Sequence, residues 1–338
     1  MDISEIGKFA LLDRLNSGFE TKQQSTIKAF DDAAVVAAAS NKTKQICSAV
    51  FLEGIHFNLV YTPMKHLGYK VVTYAVSKIV AMNAVPQQIL VSAGVSSRFS
   101  VQDIESFYEG IRAACSEYSV DLVENNLTAS LTGMTISVTA VGEASENSLC
   151  YRSGAKVHDL LCLSGSIGAA YMGLQVLERE RRIFETNHVQ PKLEGYDYVL
   201  QKQLRPQARL DMLKTFEEHG IKPSSMTDIA DGLASDILHI CKQSNAGVRI
   251  YLDKIPIAVE TFAVCEEMNF DAVTAALNGG DDFELLFTLP VTDYETIKSL
   301  SDFEIIGYIT DSSQGAYLVT PEGNELKIKA QGWTFVTE

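Results

Sequence analysis

Asp228-Ile229-Ala230-Asp231-Gly232-Leu233-Ala234-Ser235-Asp236, in the second half of the chain, sets three aspartates around a glycine. Their spacing of i, i+3 and i+8 suits a turn that enters a helix, with the carboxylates converging on a cation. A second acidic stretch follows at Asn278-Gly279-Gly280-Asp281-Asp282-Phe283-Glu284. A glycine pair before two acids lets the backbone approach a ligand closely while the carboxylates face it. Together the two stretches are typical of the metal and phosphate half of an ATP-using kinase.

The length of the chain and its pattern of apolar residues predict an α/β (α+β) protein with two domains. A chain of 338 residues is long for one hydrophobic core. We place the boundary near Asn147, which gives domains at 1–147 and 148–338. Helical periodicity predicts helices at 64–84, 101–118, 169–177, 207–218 and 235–243, and a helical pattern also covers about 1–30. Alternating or continuous apolar runs predict strands at 33–36, 88–95, 133–142, 159–165, 247–252, 305–308, 316–319 and 326–328.

The charge balance excludes several classes of partner. A formal net charge of −15 leaves no basic footprint for nucleic acid and disfavours an anionic membrane surface. No stretch approaches the ~18–20 apolar residues of a membrane span. The six cysteines are scattered without a Cys-x-x-Cys pair, which indicates reduced thiols in a cytoplasmic protein. An acidic binder of phosphorylated ligands is expected to use divalent cations as the bridge.

The order of short motifs along the whole chain resembles one family, thiamine-monophosphate kinase. That family belongs to the superfamily of the aminoimidazole ribonucleotide synthetases and selenophosphate synthetases. The motifs are Asp31-Asp32-Ala33-Ala34-Val35, Leu52-Glu53-Gly54-Ile55-His56-Phe57, Ala81-Met82-Asn83-Ala84-Val85-Pro86, Arg152-Ser153-Gly154-Ala155, Leu204-Arg205-Pro206, the two acidic stretches, and Gln331-Gly332-Trp333. The resemblance implies a synthetase-like fold with a mixed-sheet amino-terminal domain that pairs across a homodimer, and a larger carboxy-terminal domain. It also implies Mg²⁺, an ATP site between the domains, and phosphoryl transfer from ATP to thiamine monophosphate, giving thiamine diphosphate.

The resemblance carries over a set of site residues. It implies that Asp228 and Asp231 are catalytic and that these two bind metal together with Asp32 and Ser48. It implies nucleotide contacts at Tyr108, Asn125, Asn126, Arg152 and Ala230. It implies substrate contacts at His56, Asp281 and Trp333, with Asp281 standing where the family usually has glutamate.

The chain departs from the family's pattern at its metal ligands. Ala49, Lys78 and Asn126 stand where the family has metal-binding aspartates, and Phe30 and Glu124 replace phosphate-site glycines. An ammonium near a bound Mg²⁺ is repulsive by roughly 8 kcal/mol at 4 Å in an effective dielectric of 20. Lys78 could instead form a salt bridge with Asp31 or Asp32 and so replace one cation.

Three interpretations of function remain open at this point. One is a working thiamine-monophosphate kinase with a reduced metal count. Another is a catalytically impaired or inactive paralogue that keeps the fold and some ligand binding. The third is a related superfamily enzyme, such as an amidine-forming cyclo-ligase. Simpler roles are also open for single residues, since aspartates 228, 231 and 236 can cap a helix and His56 and Trp333 can pack in a core.

Overall fold

A computed structural model of the chain describes residues 26–28, 33–38 and 42–330. The predicted metal ligand Asp32, the predicted substrate contact Trp333 and Phe30 lie outside these ranges. Most of the helical pattern over about 1–30 lies outside them too, and where it is described, at Thr26–Lys28, the chain forms a strand instead of a helix. None of the described helices is long and apolar enough to cross a membrane.

The first half of the chain forms a six-stranded mixed sheet in the order β1-β2-β3-β6-β4-β5. Only the β4–β5 pair is parallel in this sheet. Its strands are β1 (Thr26–Lys28), β2 (Ala34–Ala37), β3 (Lys42–Leu52), β4 (Val85–Val95), β5 (Asp121–Ala129) and β6 (Thr135–Ser145). Two helices belong to this half, α1 (Met64–Val80) and α2 (Val101–Tyr118). Helix α1 packs on β3, β4 and β6, and α2 packs on α1, so among the described residues the helices leave the opposite face of the sheet uncovered.

Two glycines allow α1 and α2 to cross in direct backbone contact. A Cβ on Gly68 would lie 1.9 Å from the carbonyl oxygen of Phe107, and one on Gly110 would lie 1.9 Å from that of Lys65. Helix α2 begins with a capping box formed by Ser100 and Asp103. The close crossing with α2 fixes the position of α1, and α1 carries several of the site residues described below.

The second half forms a seven-stranded mixed sheet in the order β13-β12-β9-β11-β7-β10-β8. Its strands are β7 (Leu160–Leu163), β8 (Ser225–Asp228), β9 (Ala246–Tyr251), β10 (Leu285–Leu289), β11 (Glu304–Asp311), β12 (Ala316–Val319) and β13 (Glu325–Lys327). Its helices are α3 (Ala169–Asn187), α4 (Asp197–Leu204), α5 (Leu210–Glu218), α6 (Leu233–Ser244), α7 (Val259–Glu267), α8 (Ala272–Asn278) and the one-turn α9 (Tyr294–Ile297).

The two halves share one of the hydrophobic clusters. That cluster contains Val35 and Ile136 from the first sheet and Leu285 and Phe287 from the second. Polar contacts from α1 reinforce the junction, including a hydrogen bond from the Thr73 hydroxyl to the carbonyl oxygen of Pro206 at 3.4 Å. Each sheet is built from one side of residue 147, and the division into two domains there stays a prediction.

The α/β (α+β) class is confirmed. The helix predicted at 101–118 and the strand predicted at 316–319 have the observed bounds, and the other predicted elements between residues 33 and 330 match observed ones with shifted ends. The structure corrects two local interpretations. The run of charged residues at 178–182 predicts a solvated helix face, yet Glu180 is buried and accepts a hydrogen bond from the backbone N–H of Lys192. The helix predicted at 207–218 begins only at Leu210.

Candidate active site

The two acidic stretches pack against each other through their backbones. The N–H of Asp281 donates to the carbonyl oxygen of Ala230 at 3.0 Å, and the N–H of Phe283 donates to that of Ile229 at 2.9 Å. Gly280 makes this approach possible because its φ is +73° and a Cβ there would lie 2.5 Å from the Ala230 oxygen. The sequence had indicated that this glycine brings backbone close to a ligand; what lies against it in the structure is the other acidic stretch.

The last two acids of the second stretch hold the fold together. Asp282 is buried and accepts hydrogen bonds from the N–H groups of Gly168 and Ala170, at the start of α3. Burial raises the pKa of the Asp282 carboxyl to about 7, against the lowering effect of these two N–H donors. Glu284 is also buried, and it accepts a hydrogen bond from Ser164 and ion-pairs with Lys202 and Arg209.

Asp228 is fully buried at the end of β8, and both of its carboxylate oxygens are engaged by α1. The Nζ of Lys78 lies 2.7 Å from Oδ1, and the hydroxyl of Ser77 donates to Oδ2 at 2.7 Å. Asp228 therefore does not serve as a helix cap. Lys78, which stands where the family has a metal-binding aspartate, thus pairs with Asp228, one of the predicted metal ligands. The partners predicted for Lys78, Asp31 and Asp32, lie outside the described residues.

The other two aspartates of the first stretch lie around the turn into α6. The N–H of Asp231 donates to Oδ2 of Asp236 at 3.2 Å. Helix α6 starts after Gly232 without a hydrogen bond from a capping side chain. Asp236 thus supports the turn, while Asp231 is only partly buried.

A cavity of about 530 Å³ opens beside this turn, between the two halves of the chain. It contains three of the residues that the resemblance assigned to ligands: His56, Ala230 and Asp281. Its walls are mainly aromatic and apolar, from Phe51, Ile55, Phe57, Tyr61, Leu67, Tyr74, Tyr171, Leu174 and Leu204. Its polar lining includes Asn58, Thr62, Lys70, Glu178 and Gln203.

Lys70 brings a buried positive charge to this cavity. Its Nζ lies 2.8 Å from Oδ2 of Asp281 and donates to the carbonyl oxygen of Gln203 at 3.0 Å. On the same cavity, Nδ1 of His56 accepts a hydrogen bond from the N–H of Leu52 at 3.1 Å. The neutral His56 ring therefore carries its proton on Nε2.

Tyr74 connects the cavity with the Asp228 ion pair. It lines the cavity, its ring is edge-on to Phe51 and Phe283, and the Nζ of Lys78 lies 5.5 Å from the ring centre. Burial raises the pKa of the Tyr74 hydroxyl; the Lys78 ammonium opposes this, and the nearby carboxylates of Asp231, Asp228 and Asp281 add to it. The ring thus stays neutral at the centre of a cluster of charged groups.

Other predicted site residues lie away from this cavity. Ser48 points to the uncovered face of the first sheet and accepts a hydrogen bond from the Thr139 hydroxyl at 3.1 Å. The Tyr108 hydroxyl donates to Asn125 on the exposed edge strand β5, which also carries Asn126. The carbonyl oxygen of Arg152 accepts hydrogen bonds from the hydroxyls of Ser225 and Ser244. The structure does not bring these five residues together with His56, Ala230 and Asp281.

Sequence reasoning missed Lys70, Tyr74 and Ser77 as site residues. A signal existed, because residues 70, 74, 77 and 78 recur at i, i+4, i+7 and i+8 and so share one face of a helix. Polar side chains on the otherwise apolar helix 64–80 marked the face that meets the second half of the chain.

The described residues do not fit a Mg²⁺ ion at Asp228. Residues 26–28, 33–38 and 42–330 contain no group of three or more His, Cys, Asp or Glu side chains arranged to hold a metal. A divalent cation bound to Asp228 would stand next to the Lys78 ammonium, which already occupies one of its oxygens.

Comparison with known proteins first gives the class of the fold. Residues 30–144 match the family of the AIR synthase related protein, N-terminal domain. Over the whole chain, the structure is similar to that of AaThiL complexed with AMPPCP and TMP, with a TM-score of 0.83, 29% sequence identity and coverage of 99% of both chains. The protein therefore has the synthetase-related fold that the motifs predicted.

Two curated relatives then identify the family. The thiamine-monophosphate kinase of Pyrococcus horikoshii is 31% identical over 270 residues, which cover 79% of this chain and 78% of the relative. The thiamine-monophosphate kinase of Aquifex aeolicus is 29% identical over 333 residues, or 98% of this chain and 99% of the relative. This chain belongs to the thiamine-monophosphate kinase family.

Proposed function

We propose that this protein is an ATP-dependent thiamine-monophosphate kinase, a phosphotransferase that makes thiamine diphosphate. The observation that carries the proposal is the 530 Å³ cavity, whose lining includes His56, Ala230 and Asp281, three residues to which the family resemblance assigns ligand contacts. The volume lies within the ~300–1,000 Å³ of small-molecule sites. A relative of the same fold, AaThiL, is complexed with AMPPCP and TMP.

The lining of the cavity suits a ligand with aromatic rings at one end and a phosphate at the other. Tyr74, Tyr171 and Phe51 offer ring faces and edges for stacking. The Lys70 ammonium and the Nε2–H of His56 are donors for an anionic oxygen. Asp281, held by Lys70, can accept from an amino group of the ligand or release Lys70 to a phosphate.

For the nucleotide we propose the remaining residues that the family motifs assign. These are Tyr108, Asn125, Asn126 and Arg152. Phosphoryl transfer depends on positioning the phosphates and neutralising their charge. Mg²⁺ would enter bound to the phosphates of ATP, and the family motifs assign its protein contacts in that complex to Asp32, Ser48 and Asp231, while Asp228 is already neutralised by Lys78; Trp333 is proposed to stack on the substrate.

We further propose that the protein is a homodimer in the cytoplasm. The face of the first sheet opposite α1 exposes Ile46, Val50 and Leu52 from β3. An exposed apolar sheet face of this kind is typical of an interface between copies. None of the six cysteines, all of which lie in the described part of the chain, forms a disulfide, in keeping with a reducing compartment.

One observation favours a second candidate, a catalytically impaired paralogue that keeps the fold and binds ligands. It is the Lys78–Asp228 ion pair, which stands where the family implies a carboxylate next to a metal ligand. With Ala49 and Asn126 also lacking carboxylates, fewer groups remain to position cations. Losing such electrostatic groups typically costs about 10²–10³ in rate for each one.

A calorimetric titration separates these candidates. MgATP and then thiamine monophosphate are titrated into the protein, and thiamine diphosphate is assayed in the same sample. Heat with product supports the kinase, and heat without product supports the impaired paralogue. No heat for either ligand contradicts both. Asp281→Asn is the site variant, and Asp271→Asn, an exposed helix cap on α8, is its matched control.

A further inference from the structure

We propose that Lys78 is a built-in cation that takes the place of a divalent metal ion at Asp228. The proposal goes beyond the function above and does not depend on whether phosphoryl is transferred. In this proposal Lys78 neutralises the buried carboxylate of Asp228, and this carboxylate therefore needs no metal ion in this protein.

The contact geometry is that of a bound cation. The Nζ of Lys78 lies 2.7 Å from Oδ1 of Asp228, and the side chains of the two residues are 14% and 0% exposed. Ser77, itself fully buried, donates to the other oxygen at 2.7 Å. A carboxylate taken out of water must be paired and hydrogen-bonded, and here α1 supplies both partners.

The position of Lys78 in α1 further fixes the ammonium at this place. Lys78 lies in the last turn of the helix, where the partial negative charge of the helix end favours a cation. The Tyr74 ring, one turn earlier, lies with its centre 5.5 Å from the same Nζ. Helix, ring and carboxylate thus all stabilise a positive charge at one point.

This arrangement opposes a metal at Asp228. A divalent ion there would lie within a few ångströms of the ammonium, in a poorly screened interior. To bind, it would have to displace Lys78 from a partner that the helix holds in register.

Paramagnetic broadening by Mn²⁺ in the nucleotide-free, unaltered protein tests the proposal without any substitution. Methyl groups of Ile79 and Ile229 adjoin Lys78 and Asp228 in sequence, and they report on an ion held there. We expect these methyl signals to broaden no more than those of Ile250, a buried residue in β9. Selective broadening of Ile79 and Ile229 would overturn the proposal.

Lys78→Met provides the complementary test, with Lys202→Met as its matched control. Lys202 pairs with another buried carboxylate, that of Glu284. Without nucleotide, we expect Mg²⁺ at tenfold over its Kd for the Asp228 site to raise the Tm of Lys78→Met by about 3 °C more than that of the unaltered protein or of Lys202→Met. Equal Tm shifts in all three proteins, or no Tm shift in Lys78→Met, would contradict the proposal that the Lys78 ammonium takes the place of a metal ion.

These outcomes are independent of the enzyme assay. If thiamine diphosphate is not formed but Ile79 and Ile229 stay sharp, the proposed function fails and the role of Lys78 stands. If product is formed and these signals broaden selectively, the function stands and the role of Lys78 fails. Should Lys78→Met not fold, the measurement on the unaltered protein alone decides.

Discussion

The ammonium of Lys70 on α1 and the carboxylate of Asp281 in the second acidic stretch meet across the cavity at 2.8 Å. The Lys70 side chain is buried, and the carbonyl and amide oxygens of Gln203 supply its further acceptors. A lysine held this way is preorganised to donate hydrogen bonds to a phosphate, because the fold has already restricted its side chain. The position of α1 therefore determines where the Lys70 ammonium lies in the cavity.

Lys70→Met should weaken the binding of thiamine monophosphate by about 10- to 100-fold, the usual effect of losing one charged hydrogen bond. Calorimetric titration of the ligand measures the change. Lys65→Met is the matched control, since Lys65 lies on the same helix but pairs with Glu109 at the surface. Equal affinity in the Lys70 and Lys65 variants would refute a phosphate-binding role for Lys70.

Gly280→Ala should destabilise the fold more than an ordinary glycine substitution. The residue would adopt a φ of +73° and its Cβ would collide with the Ala230 oxygen at 2.5 Å. Strain and collision together should cost at least about 2 kcal/mol in the free energy of unfolding, measured in urea.

Gly195→Ala is the control for that experiment. It has a φ of +90° but nothing within 4 Å of the added Cβ, so strain alone applies. Its cost should stay near about 1 kcal/mol. If Gly280→Ala and Gly195→Ala lowered the free energy of unfolding equally, the close backbone contact between the two acidic stretches would not contribute to stability.

How much the sequence revealed depends on how local the cause is. The helix predicted at 101–118 has those bounds, since Ser100 and Asp103 form a capping box within four residues. Strand β5 was not assigned, because all nine of its residues are exposed and lack an apolar alternation. Edge strands like this one are defined by their neighbour in the sheet, here β4.

The same distinction holds for the site. Short motifs predict ligand contacts for His56, Ala230 and Asp281, and these three residues line one cavity. The partners of Lys70 and Lys78 were not found, because each pairing spans well over a hundred residues and forms only when α1 packs on the second half. Composition and periodicity carry no information about such pairs until the register of the helix is known.

Asp282 should give the stability of the protein a distinct pH dependence. Burial raises the pKa of its carboxyl from 3.8 to about 7 in the folded state. Between about pH 4 and pH 7 the unfolded chain therefore ionises this group while the folded protein keeps its proton. The resulting contribution to stability is complete below pH 4 and is lost as the pH rises to 7, with a magnitude on the order of a few kcal/mol.

Asp282→Asn removes the titrating proton and keeps one of the two oxygens that accept from the N–H groups of Gly168 and Ala170; the loss of the other acceptor does not depend on pH. The difference in the free energy of unfolding between the unaltered protein and this variant should fall from pH 4 to pH 7 and then level off. Asp271→Asn, at an exposed helix cap, should show no such fall. A difference that is flat from pH 4 to pH 8 would show that the buried carboxyl titrates normally.

The uncovered face of the first sheet should hold two copies of the chain together. Val50 lies in the middle of this face in β3 and is 53% exposed, with Ile46 and Leu52 on the same side. A charge at its centre would have to be desolvated on pairing, so Val50→Asp should raise the dimer dissociation constant by at least about 100-fold. Light scattering after size-exclusion chromatography gives the mass over a range of concentrations. Val259→Asp, at an exposed position of the second half, should leave the dimer intact. A monomeric unaltered protein, or a Val50→Asp variant that still dimerises, would place any contact between copies on another surface.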